Sequence, residues 1–203
     1  MSQTVPERPT PPKAVIFDLD GVIFDSAECN VAFYNHILSA LGHEPRAREA
    51  LEVIHTEPMD RSLQYLLGHG EEYRRAVAYW KSLDPTPFIH MLELYPGVTE
   101  ALAMLGGRAR LAVATNRTST ARPVLRYFEL LHFFEAVVTP IEAGVSKPDP
   151  GVMAMTLDLL GLTVDEGLCR NSGARLVAFR NPGLEAWAHL HDFADLAPLL
   201  GLD

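Results

Sequence analysis

The segment from Lys13 to Ser26 constrains the fold more than any other part of the chain. It reads K-A-V-I-F-D-L-D-G-V-I-F-D-S, and its apolar run at 14–17 ends abruptly in Asp18-Leu19-Asp20-Gly21. Such a run, ended by turn residues, is typical of a strand buried on both faces of a parallel sheet. A solvated turn also accepts Asp and Gly, but it does not explain the apolar residues on both sides. Because ligands bind at the carboxyl ends of parallel strands, the two carboxylates predict a site in an α/β fold.

Two later segments also carry candidate site residues, and the first has the same form, an apolar run that ends in polar residues. The first, 111–116, ends in Thr115 and Asn116, and a further short strand is predicted at 136–139. The second, 144–150, reads G-V-S-K-P-D-P and carries Lys147 just before a predicted helix. A hydroxyl group and a lysine ammonium group are both donors suited to a phosphoryl group.

These segments, in this order, resemble motifs I, II and III of the haloacid dehalogenase superfamily of phosphatases. The resemblance implies that Asp18 is the nucleophile and that Asp20 is the general acid and base. It further implies that Thr115, the backbone N–H of Asn116 and Lys147 bind the phosphoryl group. The implied cofactor is Mg²⁺, bound by the Asp18 carboxylate and the carbonyl oxygen of Asp20.

The resemblance also implies a doubly wound parallel α/β sheet of the Rossmann type, with an inserted helical cap. The predicted boundaries are a flexible tail at 1–12, a core domain at 13–26 and 94–203, and a cap domain at 27–93. Helical patterns predict four cap helices. They lie at 27–41 with Ser26 as the cap, at 45–56, at 61–67 with Asp60 as the cap, and at 71–82.

The chain departs from the superfamily pattern after Glu166. A fourth buried strand and an acidic G-D-x-x-x-D loop are expected there, but the sequence passes directly to 167–174, which resembles the next helix and its glycine stop. The expected last strand, 176–179, follows in register and is available to pair beside the first strand. Asp165 and Glu166 are placed by the resemblance at the opposite side of the sheet. The sequence leaves open whether the segment was lost naturally, was removed by design or is missing from the determined sequence.

The composition limits the partners of the chain. With 203 residues and a net charge of −9, it suits a globular protein and argues against binding nucleic acid or anionic membranes. Two distant cysteines and no long apolar segment favour a cytoplasmic protein. We expect a monomer or homodimer. Four arginines are candidate anion contacts, although a solvated helix face explains the first three equally well: Arg61, Arg74, Arg75 and Arg117.

The sequence thus predicts a magnesium-dependent phosphomonoester hydrolase. Its substrate would be a small phosphorylated metabolite, handled through an aspartyl-phosphate intermediate. Loss of the acidic loop predicts impaired activity. Two alternatives stay open: an inactive relative that binds phosphorylated ligands or a partner, and a phosphomutase.

Overall fold

The structure is a computed structural model that describes residues 11–52, 57–163, 168–169 and 173–202. Its strands are β1 (Ala14–Phe17), β2 (Phe24–Asp25), β3 (Glu93–Leu94), β4 (Arg110–Ala114), β5 (Ala136–Val138), β6 (Leu168–Cys169), β7 (Gly173–Ala174), β8 (Val177–Phe179) and β9 (Ala188–Leu190). Its α-helices are α1 (Ala27–Ala40), α2 (Arg48–Glu52), α3 (Met59–Leu67), α4 (Glu71–Ser82), α5 (Thr86–Ile89), α6 (Val98–Leu105), α7 (Ala121–Tyr127), α8 (Pro140–Ala143), α9 (Gly151–Leu159) and α10 (Leu196–Leu199). Short 3-10 turns occur at Leu131–Phe133 and Phe193–Asp195.

A parallel sheet with the order β1-β4-β5 carries the predicted motifs. Strand β4 is buried on both faces because its side chains alternate between two helical layers. Leu111 and Val113 belong to the cluster that contains residues of α6, α7 and α10. Ala112 and Ala114 pack on the other side, where α9 contributes Val152. Helices on both faces of a parallel sheet confirm the predicted α/β fold class.

The helices α1 to α5 are all inserted between β2 and β3. These two short strands pair antiparallel, Phe24 opposite Leu94 and Asp25 opposite Glu93, so the chain leaves and re-enters the core at one place. Helix α4 begins and ends at the predicted residues, 71 and 82. The division into core and cap domains at 27–93 stays a prediction.

Two capping predictions for the inserted helices are wrong. Ser26 occupies the N-cap position of α1, but its buried side chain makes no capping hydrogen bond, and the Asp25 carboxylate accepts from the Ala27 N–H instead. Helix α3 begins at Met59, with Pro58 as its N-cap, so Asp60 lies inside the first turn. A carboxylate in the first turn still favours the helix through its dipole.

The segment around the departure from the superfamily pattern is not the predicted helix. Within the described residues, β6 and β7 are extended and pair in parallel, Leu168 opposite Gly173. Asp165 and Glu166 lie outside the described residues. Strand β8 pairs with β9, Val177 opposite Ala188, and does not pair with β1 in the part of the chain that the structure describes.

Strand β1 is therefore hydrogen-bonded on one side only, to β4, as far as the described residues extend. Three of its four residues, 14–16, are only partly buried, whereas 111–114 of β4 are fully buried. This difference is the one expected where a neighbouring strand is missing, because a strand inside a doubly wound sheet is normally covered on every side.

Candidate active site

The D-L-D-G segment forms a tight loop at the carboxyl end of β1. The Leu19 N–H donates to Asp18 Oδ1 over 2.8 Å, and the Phe24 N–H donates to the Leu19 carbonyl over 3.0 Å. Gly21 has a φ angle of +72°, in the left-handed region that favours glycine. Its N–H donates back to the Phe24 carbonyl over 2.8 Å. The glycine thus permits the turn that brings Asp18 and Asp20 to the same edge of the sheet.

Lys147 lies directly beside Asp18. Its ammonium nitrogen is 2.7 Å from Asp18 Oδ2 and donates to the carbonyl of Ala114, at the end of β4, over 3.0 Å. Asn116 holds the lysine backbone from both sides: its amide oxygen accepts from the Lys147 N–H over 2.7 Å, and its amide nitrogen donates to the Lys147 carbonyl over 3.1 Å. The Asn116 side chain therefore fixes the loop that carries the lysine, a contact that the sequence pattern did not predict.

Thr115 connects the end of β4 to the same site. Its backbone N–H donates to the Val138 carbonyl over 3.1 Å, and its hydroxyl oxygen accepts from the Arg117 N–H over 3.1 Å. The residue is almost fully buried but contributes to the wall of the cavity that Asp18 lines. The structure thus brings all five predicted site residues, Asp18, Asp20, Thr115, Asn116 and Lys147, to one edge of the sheet.

Arg117 forms a two-point ion pair with Asp20. Its Nε lies 2.8 Å from Asp20 Oδ2, and its Nη2 lies 2.7 Å from Oδ1. The two side chains keep only 13% and 24% of their exposure. Burial disfavours the charged guanidinium, but the Asp20 carboxylate outweighs this effect and raises the pKa of Arg117 above its usual value. The Asp20 carboxylate is therefore held in one position by an ion pair that is largely shielded from solvent.

The other predicted anion contacts lie elsewhere. Arg61 is 3.7 Å from Glu57, Arg74 is 2.6 Å from Glu71, and Arg75 is 3.8 Å from Glu72, each on an exposed helix face. They do not line the cavity that contains Asp18. The solvated-face interpretation therefore holds for these three arginines, and Arg117 alone of the four reaches the site.

A cavity of about 1170 Å³ opens over these residues, between the sheet edge and the inserted helices. Sequence patterns did not identify its second wall, which is mainly apolar and includes Cys29, Phe33, Tyr34, Met59, Trp80 and Phe88. Burial raises the pKa of the Cys29 thiol, with an opposing effect from Arg117. The thiol is therefore neutral at neutral pH and unsuited to act as a nucleophile. Asp18 and Asp20 are the carboxylates that follow β1 and line the cavity.

The described residues do not fit a firmly bound magnesium ion. Magnesium prefers six oxygen ligands in near-octahedral geometry. Both Asp18 carboxylate oxygens are already engaged, by Lys147 and by the Leu19 N–H, and both Asp20 oxygens contact Arg117. Across the described ranges, no group of three or more His, Cys, Asp or Glu side chains is placed to hold a metal. A cation here would depend on Asp18, one backbone carbonyl and water.

We expect Arg117→Met to lower the free energy of unfolding by about 2 kcal/mol. The change leaves the Asp20 carboxylate in a shielded position with no guanidinium, and breaking a buried pair typically costs more than losing an exposed one. The figure lies between the values of about 0–1 kcal/mol for exposed pairs and about 3–5 kcal/mol for buried pairs, because Asp20 keeps 24% of its exposure. Urea unfolding measures the effect, and Arg117→Lys should recover part of it.

The control is Arg110→Met, which removes an exposed pair with Glu135 at 2.6 Å. Little change is expected there because exposed ion pairs contribute little to stability. Equal losses in the two methionine variants would contradict a special role for the Arg117–Asp20 pair.

Residues 15–168 match the sequence profile of the haloacid dehalogenase-like hydrolase family. A phosphoglycolate phosphatase of Nitrosospira multiformis is 34% identical over 152 residues, which cover 70% of this chain and 66% of that protein. The chain thus spans slightly less than two thirds of this relative. A beta-phosphoglucomutase of Bacillus subtilis is 27% identical over 184 residues, covering 86% of this chain and 81% of the relative.

Solved structures give the same relationship. A HAD-superfamily hydrolase of subfamily IA from Geobacter sulfurreducens superposes with a TM-score of 0.74 at 30% sequence identity. The superposition covers 97% of this chain and 100% of that one. The matched profile spans more than half of the chain and includes the segments that bear Asp18, Thr115 and Lys147. The chain belongs to the haloacid dehalogenase-like hydrolase family.

Proposed function

We propose that the chain is a phosphatase that transfers the phosphoryl group of a small phosphomonoester to Asp18 and then to water. The observation that carries the proposal is the Asp18–Lys147 contact of 2.7 Å in the lining of the cavity. A carboxylate beside a fixed ammonium group can attack phosphorus while the ammonium offsets charge on the phosphoryl oxygens. The test is release of inorganic phosphate by the chain and by its Asp18→Asn variant.

The reaction has two steps. A carboxylate oxygen of Asp18 attacks phosphorus, the bond from phosphorus to the ester oxygen breaks, and Asp20 gives its proton to the leaving oxygen. Water then attacks phosphorus, Asp20 takes a proton from that water, and the bond from phosphorus to Asp18 breaks to release phosphate. The first step needs Asp20 in its protonated form, so its ion pair with Arg117 must open at one oxygen for the proton to bind there. Thr115 would donate its hydroxyl hydrogen to a phosphoryl oxygen, and the backbone N–H of Asn116 would assist.

Lys147→Ala should weaken binding of vanadate or tungstate by ~10- to 100-fold, because charge-assisted hydrogen bonds contribute about 1.5–3 kcal/mol. Thr115→Val should have a smaller effect in the same direction. Isothermal titration of the anion measures both variants. Lys13→Ala, which removes an exposed lysine just before β1, is the matched control. Unchanged affinity in Lys147→Ala would mean that the lysine is structural.

We further propose that the site would bind magnesium weakly and that turnover is accordingly slow. Metal ions in phosphoryl transfer neutralise charge that develops on the phosphoryl oxygens. The protein ligands in this proposal are Asp18 and the Asp20 carbonyl, and no group of three candidate ligands occurs among the described residues, so this contribution would be poorly held here. We propose the helices within 27–93 as a cap that covers the cavity during the reaction.

Two alternatives have particular support. An inactive phospholigand-binding relative is favoured by the engagement of both carboxylates in ion pairs. A phosphomutase is favoured by similarity to the Bacillus enzyme. Phosphate release from p-nitrophenyl phosphate separates the first from a phosphatase. A mutase would instead return the phosphoryl group to a second hydroxyl of a sugar phosphate with little release to water.

Among the described helices, none has the length and apolar character needed to cross a bilayer. The longest, α1, has 14 residues. We propose that the chain acts on a small metabolite in the cytoplasm, as a monomer or homodimer, without binding nucleic acid or membranes. The net charge of −9 supports this proposal, because it repels polyanionic surfaces.

A further inference from the structure

We propose that the inserted-helix wall of the cavity is a subsite for an aromatic or similarly apolar alcohol. The substrates of this chain would then be aryl and other apolar phosphomonoesters rather than esters of small acidic alcohols. This inference rests on the proposed function, because it assigns the cavity beyond Asp18 to the leaving group of the ester. It concerns selectivity alone and is separable from the chemistry at Asp18.

Aromatic side chains from three inserted helices form this wall. The Phe33 ring of α1 meets the Phe88 ring of α5 edge to face, with centroids 5.0 Å apart at 87°. The Tyr34 ring lies 6.1 Å from Phe33, also edge to face, and Trp80 of α4 lines the same wall. Aromatic rings prefer such edge-to-face arrangements with further rings. An arene in the cavity would therefore meet partners of suitable geometry.

The aromatic part of the wall is held in place and is uncharged at neutral pH. The Cys29 thiol donates to the Phe88 carbonyl over 3.1 Å, which ties α5 to α1. Burial raises the pKa of Tyr34 to about 12, and the Tyr34 hydroxyl is already hydrogen-bonded with Ser62. Tyr34 therefore presents a neutral ring. A fixed apolar wall costs less to organise on binding than a mobile one.

An acidic leaving group would meet few charged partners along the described lining of the cavity. The lining contains three cations, Arg117, Lys147 and Lys81. The first two are paired with Asp20 and Asp18 at 2.7 Å, and Lys81 is exposed to solvent. A carboxylate carried against the aromatic rings would lose water and gain at most the solvent-exposed Lys81 as a partner, which is unfavourable. The wall thus discriminates against acidic alcohols as well as favouring apolar ones.

Binding of non-hydrolysable phosphonates tests the subsite without requiring turnover. The chain has two tryptophans, and Trp187 does not line the cavity, so Trp187→Phe leaves Trp80 as the single tryptophan reporter. Phenylphosphonate should change the Trp80 fluorescence and bind about tenfold or more tightly than 4-carboxyphenylphosphonate. Equal affinity, or tighter binding of the carboxylated ligand, would overturn the proposal.

Two conservative variants test whether the aromatic rings of the wall contribute to phenylphosphonate affinity. Phe33→Leu and Phe88→Leu keep apolar volume but remove a ring, and each should lower phenylphosphonate affinity about threefold or more. The control is Phe133→Leu, since Phe133 is also partly buried but lies outside the cavity lining. An unchanged affinity in both cavity variants would overturn the assignment of the wall. Circular dichroism of each variant verifies that it is folded.

Turnover separates this inference from the proposed function. The chain should cleave phenyl phosphate with a kcat/KM about tenfold or more above that for 4-carboxyphenyl phosphate, because the para carboxylate does not make the phenolate a poorer leaving group. Phosphate release without this preference would contradict the subsite and leave the phosphatase assignment standing. Selective phosphonate binding without any phosphate release would support the subsite and contradict the assignment.

Discussion

Insertion of a strand and a G-D-x-x-x-D loop after Glu166 is expected to raise magnesium-dependent turnover by ~10²–10³-fold. The loop would add carboxylates beside Asp18, where the described residues offer too few oxygen ligands for a firmly held ion. Charge stabilisation carries most of the catalysis in phosphoryl transfer, and one preorganised element is commonly worth this factor. Steady-state phosphate release at a series of magnesium concentrations measures the gain.

The same insertion should raise the melting temperature by about 10 °C. Residues 14–16 of β1 are partly exposed, and β1 is hydrogen-bonded only to β4 within the described ranges. A neighbouring strand would cover these side chains and form hydrogen bonds with the other edge of β1. In a chain of this size, about 3 kcal/mol of net stabilisation corresponds to a rise of about 10 °C in melting temperature.

A second insertion separates the two effects. It carries the same strand but a G-N-x-x-x-N loop, which keeps the shape and removes the carboxylates. This control should gain the stability of the full insertion without its magnesium-dependent turnover. Unchanged stability and turnover in the G-D-x-x-x-D insertion would show that the chain does not need the missing segment.

The sequence predicted the sheet and its polar edge because both depend on short-range patterns. The apolar run before Asp18 and the run before Thr115 became the neighbouring strands β1 and β4. Parallel strands place their carboxyl ends at one edge. The resemblance to the superfamily implied that Asp18 and Lys147 act on the same phosphoryl group, and in the structure they lie 2.7 Å apart. Helix α4 was predicted to the residue because its apolar positions repeat at helical spacing and glycine precedes it.

The remaining features depend on contacts between distant residues. Asp20 and Arg117 are 97 positions apart, and Asn116 fixes the backbone of Lys147 across 31 positions. The sequence marked Arg117 only as one of four candidate anion contacts. The aromatic wall was not predicted, because Phe33 and Phe88 follow the same periodicity as core residues, and only the tertiary structure shows which apolar side chains face a cavity.

At Ser26, burial of the side chain overrides the capping preference that serine has in most helices. Serine is a strong N-cap residue, yet here its hydroxyl is buried with no hydrogen-bond partner among the described residues, and Asp25 accepts from the first helical N–H instead. The pairing of β2 with β3 beside this residue fixes the direction in which the chain enters α1. The helix boundary was predicted correctly although the capping contact was not.

Asp18→Asn is expected to abolish phosphate release, with a loss of at least ~10³-fold. An amide is a far poorer nucleophile than a carboxylate, and removing a covalent nucleophile commonly has an effect of this size. The substitution is nearly isosteric, so the amide oxygen of the new side chain can still accept the loop hydrogen bond from the Leu19 N–H. Asp25→Asn is the matched control, since this exposed carboxylate follows the same loop but lies outside the cavity lining.

The most direct measurement is therefore phosphate release from phenyl phosphate and p-nitrophenyl phosphate, with magnesium, by the parent chain, Asp18→Asn and Asp25→Asn. We expect slow release by the parent chain, the same rate within about twofold for Asp25→Asn, and release at the uncatalysed rate for Asp18→Asn. Release by Asp18→Asn at the parent rate would contradict the assignment of Asp18 as the nucleophile.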